Sequence, residues 1–366
     1  MKIKAAVLYG LGGRLEVEDI ELADPKENEV LVKVAAAGVC HSDVSVIDGV
    51  IPFPLPAVLG HEGSGVVERV GPGVDDVQKG DHVIFSFIPA CGECFYCLRG
   101  MANLCEPALR LGGNLYDGTS RLTNGKGATI NHFSSASCFA EYTVVPQQGA
   151  IKIDPNVPLD VVALIGCCVT TGAGAVFNTA KVPPGSSVAV FGCGGVGLSI
   201  VQGAAISGAQ PVIALDLWQE RLDLAMELGA THAINASTED GTRMIRELTG
   251  GKGVDFAFEA IGNPDTFSQA YRSIHWGGTC VCVGVPPADA KLTFDSRLIM
   301  QERTIKGSLY GSSNPKVDFV NLVALYSAGK LKLDQMITGR FPLERINGAF
   351  EDLRNGIGAR SVIVFD

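Results

Sequence analysis

Four cysteines, Cys91, Cys94, Cys97 and Cys105, stand at C-x2-C-x2-C-x7-C spacing within fifteen residues. Thiols clustered outside a disulfide framework point to a soft metal, and four thiolates carried on short turns suit tetrahedral zinc. Pro89, Gly92, Gly100 and Pro107 allow the tight reversals such a knuckle needs. The rival reading is an interaction module built on a zinc ribbon or an iron–sulfur centre. Ferredoxin-type clusters, however, place their fourth cysteine at x3 before proline, whereas here the gap is x7 and Glu106 follows. Four thiolates would fill the coordination shell, so this group braces a lobe and leaves no position for a substrate.

Three other candidate ligands are scattered: Cys40 in Gly38-Val39-Cys40-His41-Ser42-Asp43, His61 in Gly60-His61-Glu62-Gly63, and Cys167 in Gly166-Cys167-Cys168-Val169. Taken singly, each reads more readily as a core thiol or a satisfied histidine. Spacing alone does not show that they converge. Together they match a Cys2His zinc set, which leaves one position open for chemistry.

Gly192-Cys193-Gly194-Gly195-Val196-Gly197 follows a strand-like run and opens a helical one, and Asp216 closes the next strand 24 residues after Gly192. In that setting the glycines make a tight turn and admit a pyrophosphate to the helix N-terminus. Asp216 can accept hydrogen bonds from both adenosine ribose hydroxyls, and its charge would repel a 2′-phosphate, which favours NAD over NADP. The alternative is a structural glycine turn with a surface aspartate.

These groups need elements to hold them, and the chain has two grammars. Up to about residue 165, short β-runs (4–8, 29–36, 65–70, 82–87 and 139–145) are broken by Gly71-Pro72-Gly73 and Lys79-Gly80-Asp81, the pattern of an irregular, barrel-like β domain. Residues 106–137, rich in Gly, Asn, Ser and Thr, read as a long loop. From about residue 186, apolar strands (187–191, 211–215, 232–235, 254–258, 279–283 and 304–308) alternate with helix-period stretches such as 218–228 and 265–274, which implies a parallel sheet covered by helices. Helical stretches at 316–327 and 342–354 and a final strand at 361–365 close the chain.

The 366 residues suffice for two domains with sizeable cores, and 46% apolar with 19% charged residues describes a packed enzyme. A formal charge of −10 disfavours nucleic acid as a partner. No apolar run reaches membrane-spanning length, and Met1-Lys2-Ile3-Lys4 leads into a strand-like stretch, so neither membrane nor secretory leader is expected. Eleven cysteines, an odd count, are then expected to be reduced in a cytoplasmic setting.

With these motifs in order along essentially the whole chain, the sequence resembles the zinc-dependent alcohol dehydrogenases of the medium-chain dehydrogenase/reductase superfamily. Asp117-Gly118-Thr119-Ser120-Arg121 resembles the dimeric, horse-liver-like branch, which includes the glutathione-dependent formaldehyde dehydrogenases. The resemblance implies an α/β chain: a GroES-like β-rich catalytic domain at 1–168, with a structural-zinc lobe at 89–107, a doubly wound Rossmann NAD-binding domain at 169–310, and a return to the catalytic domain at 311–366. It implies two zinc ions per subunit, one held by Cys91, Cys94, Cys97 and Cys105 and the catalytic one by Cys40, His61 and Cys167. Glu62 would approach the metal during ligand exchange, Asp43 would orient His61, and Ser42 would start a proton relay. Thr171, Val196 and Val283 would lie near nicotinamide, His41 and Arg360 would face the pyrophosphate, and Arg221 would lie near the ribose. Phe87 and Phe133 would wall the substrate pocket, with Leu109 and Tyr310 as further candidates.

The family's relay often ends on a histidine three residues after the Ser/Thr, but Ser45 stands there and cannot act as a base at neutral pH. The implied reaction moves a hydride between NAD and a primary alcohol, medium-chain, allylic or aromatic, with a small-molecule aldehyde as product. A homodimer is implied as well. Alternatives are a glutathione-dependent formaldehyde dehydrogenase, for which Arg110 would hold the glutathione carboxylate, and a zinc-independent quinone-reductase-like member of the superfamily.

Overall fold

The computed structural model describes residues 1–366, which fall into two compact units. The first comprises Met1–Cys167, Asn314–Gly329 and Ile337–Asp366, and the second comprises Cys168–Ser313 and Lys330–Met336. The chain therefore crosses between units at 167/168 and 313/314. The expected return at 311–366 is interrupted, because residues 330–336 belong to the second unit. Leu331, Leu333 and Met336 are buried there, and the Lys332 amide donates to Gln202 Oε1 at 2.7 Å. No single helix is long and apolar enough to cross a membrane.

In the first unit, Lys2–Leu8, Glu16–Leu22, Leu122–Thr123, Thr129–His132 and Ala57–Val58 close into a small barrel. The expected loop at 106–137 thus supplies two barrel strands and a short helix, Glu106–Leu109. Its strands are too short and too polar to announce themselves by alternation. A second sheet runs in the order Ala150–Lys152, His82–Phe85, Gly63–Val70, Glu29–Gly38, Arg360–Val364, Ile337–Phe341, with Tyr142–Pro146 also pairing on Glu29–Gly38. Glu29–Gly38 lies between neighbours on both edges, and its Val30, Leu31, Val32 and Val34 point into the core on alternate faces. That strand ends two residues before Cys40, so a largely buried element of the sheet delivers the first candidate ligand.

The second unit holds six parallel strands in the order His232–Asn235, Val212–Asp216, Val188–Phe191, Val254–Glu259, Ile274–Cys282, Thr304–Gly307. Numbered along the chain this is 3-2-1-4-5-6, whose order reverses beside Val188–Phe191, the place where such sheets take ligands. The strand expected at 279–283 is longer than its sequence suggested, running Ile274–Cys282 through Trp276-Gly277-Gly278.

A charged network braces the barrel. Arg121, fully buried, donates through Nε to Glu29 Oε2 at 2.8 Å and through Nη2 to Glu29 Oε1 and to Asp117 Oδ2. Its backbone amide donates to His132 Nε2 at 3.1 Å, which leaves the His132 proton on the other ring nitrogen. Burial, with Arg121 nearby, pushes the His132 pKa down to about 3. The unfolded chain takes up that proton near pH 6.5, so stability is complete above 6.5 and declines as the pH falls toward 3, at up to about 1.4 kcal/mol per pH unit. We expect His132→Asn, which keeps an acceptor but cannot take a proton, to lose less melting temperature between pH 6.5 and pH 4 than the parent. Equal slopes would show that His132 does not carry this acid sensitivity.

Candidate metal and dinucleotide sites

Cys40 caps helix His41–Ile47. Two residues into the helix, Asp43 turns back into the core with no exposed surface. Its carboxylate accepts from three groups: Cys40 N at 3.3 Å, Gly60 N at 3.0 Å, and His61 Nδ1 at 3.3 Å. One buried charge thereby ties the first ligand's backbone to the second ligand's ring. Cys167 arrives from a 3-10 turn, Ala163–Gly166, and is also buried. The ligand atoms of Cys40, His61, Glu62 and Cys167 lie within 4.8 Å of one another, so these dispersed residues converge.

With Nδ1 committed to Asp43, His61 Nε2 is buried and makes no hydrogen bond. A hydrogen bond with Cys167 outweighs burial and, helped by His61 and Arg360, holds the Cys40 thiol well below its usual range. Burial opposes charge on His61, but Asp43 and Cys40 outweigh it and raise its pKa well above 6.5. Both shifts favour a thiolate facing the imidazole, a donor pair that suits a divalent cation. An orphaned imidazole nitrogen facing two thiols in a sealed site fits zinc. Glu62 is turned toward Arg360, whose Nη2 donates to its Oε2 at 2.7 Å. Cys40 Sγ lies 3.7 Å from Ser42 Oγ, so Ser42 stands at the cluster, whereas His41 is exposed at the start of the same helix.

Rings line the first unit's cluster. His61 meets Phe87 edge to face at 5.6 Å between centroids and Phe133 at 5.4 Å. Phe53, which sequence reasoning missed, meets Phe133 at 5.1 Å. Its signal was the alternation Pro52-Phe53-Pro54-Leu55-Pro56. Leu109 is 52% exposed, and Tyr310 is buried in the second unit. Arg110 pairs with Glu106 on the exposed surface.

The four knuckle sulfurs also gather within 4.8 Å, on turns at Gly92 (φ 83°) and Gly100 (φ 75°). Cys91 N donates to Cys105 Sγ at 3.2 Å and Cys94 N to Cys91 Sγ at 3.4 Å, the backbone donors that thiolates seek. A backbone hydrogen bond from Cys97 brings Cys94 down to about 6, while burial pushes Cys97 up to about 12. The Tyr116 hydroxyl donates to Pro89 O and anchors the lobe's entry.

In the second unit, Gly192 has φ 93° and Gly194 caps helix Gly195–Ile206. A Cβ on Gly197 would lie 1.7 Å from Gly192 O, so only glycine lets the helix start against the turn. Asp216 closes its strand with Oδ2 accepting from Cys193 N at 2.6 Å and Oδ1 from Leu217 N and Trp218 N. The glycine turn and the carboxylate are thus one hydrogen-bonded piece. Thr171, Val196 and Arg221 are partly exposed in this unit, Val283 is buried, and Arg221 Nε makes no hydrogen bond.

The alcohol dehydrogenase GroES-like domain model matches residues 26–155 and the zinc-binding dehydrogenase model residues 195–328. An alcohol dehydrogenase zinc-binding domain protein from Burkholderia ambifaria is 41% identical over 100% of this chain and 99% of its own, with a TM-score of 0.96. Benzyl alcohol dehydrogenase from Acinetobacter calcoaceticus is 38% identical over 100% of both chains, with a TM-score of 0.95. A zinc-binding dehydrogenase from Sinorhizobium meliloti 1021 bound to NADP is 27% identical over 100% of both, with a TM-score of 0.82. The chain belongs to the medium-chain zinc-dependent alcohol dehydrogenase family. It is therefore an oxidoreductase of GroES-like plus Rossmann architecture.

Elemental analysis of this dehydrogenase should find two zinc ions per chain and one in Cys40→Ala. One in the parent, or none in that variant, would overturn the two-site assignment. Asp43→Asn should weaken the buried site about 10–100-fold in competition with a chromophoric chelator, leaving the knuckle unchanged.

Proposed function

We propose that the protein is an NAD-dependent dehydrogenase of primary alcohols with an apolar medium-chain, allylic or aromatic body, working reversibly on the alcohol/aldehyde pair. The observation that carries this reading is the buried Cys40, His61 and Cys167 set with its unbonded His61 Nε2. Three protein ligands would hold the zinc and leave it one position for the substrate oxygen. Similarity to a benzyl alcohol dehydrogenase and the ring walls at Phe87 and Phe133 support an apolar substrate body.

When bound, zinc supplies the Lewis acidity that makes an alcohol proton easy to lose, and the nicotinamide supplies the hydride acceptor. Cys40, His61 and Cys167 would hold the metal, and Asp43 keeps the imidazole on its proper tautomer. Glu62, tethered to Arg360, stands ready as an exchange ligand. Ser42 would take the alcohol proton and pass it outward, and with serine at position 45 the last acceptor is water or His41. Phe87 and Phe133 would exclude water around the reacting carbon.

For the cofactor, the turn from Gly192 through Gly194, Gly195 and Gly197 would receive pyrophosphate. Asp216 and Arg221 would take the adenosine ribose, with Thr171, Val196 and Val283 near nicotinamide. Asp216 selects NAD because a 2′-phosphate would meet a carboxylate already fixed by three backbone amides.

The assembly we propose is a homodimer. Thr304–Gly307 is the outer strand of its sheet, with one edge unpaired, and Trp276 and Met300 near it are 75% and 83% exposed. A second copy supplies both an edge and an apolar cover.

Asp216→Ser should raise the ratio of kcat/KM for NADP over NAD by about tenfold or more, since it removes a fixed like charge. An unchanged ratio would remove Asp216 from the selection. Light scattering should give twice the chain mass of 38.3 kDa, and a monomer would refute the edge contact.

A further inference from the structure

Phe133 sits at the head of an unusual turn. Ser134, Ser135 and Ser137 adopt left-handed φ of 52°, 54° and 44°, in a chain with only eight non-glycine residues at positive φ. Serine gains nothing intrinsic from that region, so three in four residues mark a conformation imposed by its surroundings. The imposing contacts are visible. Ser137 Oγ accepts from Phe133 N at 3.0 Å and donates to Val58 O at 2.9 Å. The amides of Ala136 and Ser137 both return to Phe133 O, and Thr143 Oγ1 donates to Ala136 O at 2.6 Å. Phe133 is thus gripped at both backbone ends.

The ring is gripped too. Phe53 meets it edge to face at 5.1 Å on one side and His61 at 5.4 Å on another, each with planes at 90°. Phe53 is carried between Pro52 and Pro54, whose fixed φ angles stiffen the segment. That segment is fastened to the strand that leads into Phe133: both Asn131 N and Asn131 Nδ2 donate to Pro56 O at 2.9 Å. Phe53 and Phe133 are therefore joined twice, by their ring contact and by the hydrogen bonds between their segments.

We propose that Phe53 is a specificity-determining positioning residue. By holding Phe133 edge-on beside His61, it makes a stiff aromatic wall that selects planar arylmethyl alcohols over flexible alkyl alcohols. This rests on the dehydrogenase reading above. A fixed wall of perpendicular rings offers a flat substrate ring the offset and edge contacts that aromatic pairs favour. An alkyl chain gains no such geometry and must freeze several rotors to lie against it. Phe53 acts through Phe133, so its loss should alter discrimination rather than the chemical step.

The test compares benzyl alcohol with 1-hexanol, both by steady-state kinetics and by saturation-transfer NMR on the purified enzyme. The parent should prefer benzyl alcohol. Phe53→Leu should lower the benzyl-to-hexanol ratio of kcat/KM about tenfold, mainly through KM for benzyl alcohol, and weaken ring saturation transfer in parallel. Phe53→Tyr should restore both. If Phe53→Leu does not fold, Ser137→Ala, which frees the turn, should move the ratio in the same direction. A ratio unchanged in these variants, or both substrates falling equally, overturns the proposal while leaving the dehydrogenase reading intact. If the parent oxidises no alcohol, that reading fails and NMR decides: Phe53-dependent binding of benzyl alcohol supports the wall, and binding indifferent to Phe53 overturns it.

Discussion

The Asp43 carboxylate is the contact on which the candidate centre depends. It is fully buried, and a carboxylate in that position is tolerable only with its oxygens occupied. The donors that occupy them belong to Cys40, Gly60 and His61, so satisfying the charge draws together two ligand-bearing segments that are 21 residues apart. The same carboxylate commits His61 Nδ1 and turns Nε2 toward the thiols. Burial, hydrogen bonding and ligand geometry therefore follow from one group. A second buried ion pair, Glu62 with Arg360, brings the C-terminal strand Arg360–Val364 to the same place. That pairing adds to the strand pairing of Arg360–Val364 with Glu29–Gly38 in holding the chain's last segment beside the candidate ligands.

Much of this was readable in advance, for uneven reasons. The knuckle and the glycine turn are local: spacing and context carry them, and the structure places their atoms as short turns require. Cys40, His61 and Cys167 are not local. Nothing in their spacing says that they meet, and only the resemblance brought them together before the fold did. Phe53 was missed because the proline alternation around it marks a stiff segment but not what its ring touches. Its role appears only against Phe133, across 80 residues. The barrel strands Leu122–Thr123 and Thr129–His132 were missed because two and four residues give no period to read. Residues 330–336 went to the unexpected unit because a few buried apolar side chains and Lys332 outweigh chain continuity, a tertiary decision with no local signature.

The two cysteine groups differ in exposure, and charge explains the difference. Two thiolates and a neutral imidazole around a divalent cation would sum to zero. Such a centre can be sealed, and Cys40, His61 and Cys167 are all buried. Four thiolates around the same cation would leave two negative charges. That centre needs water and backbone donors, and Cys91, Cys94 and Cys97 are only half-buried, with amides of Cys91 and Cys94 directed at sulfur. The saturated, charged group therefore belongs in an outlying lobe, where it can brace the chain. A neutral group belongs in the interior, where a low dielectric would strengthen every interaction that a bound cation makes there. Ligand count thus accounts for the burial of each cysteine group.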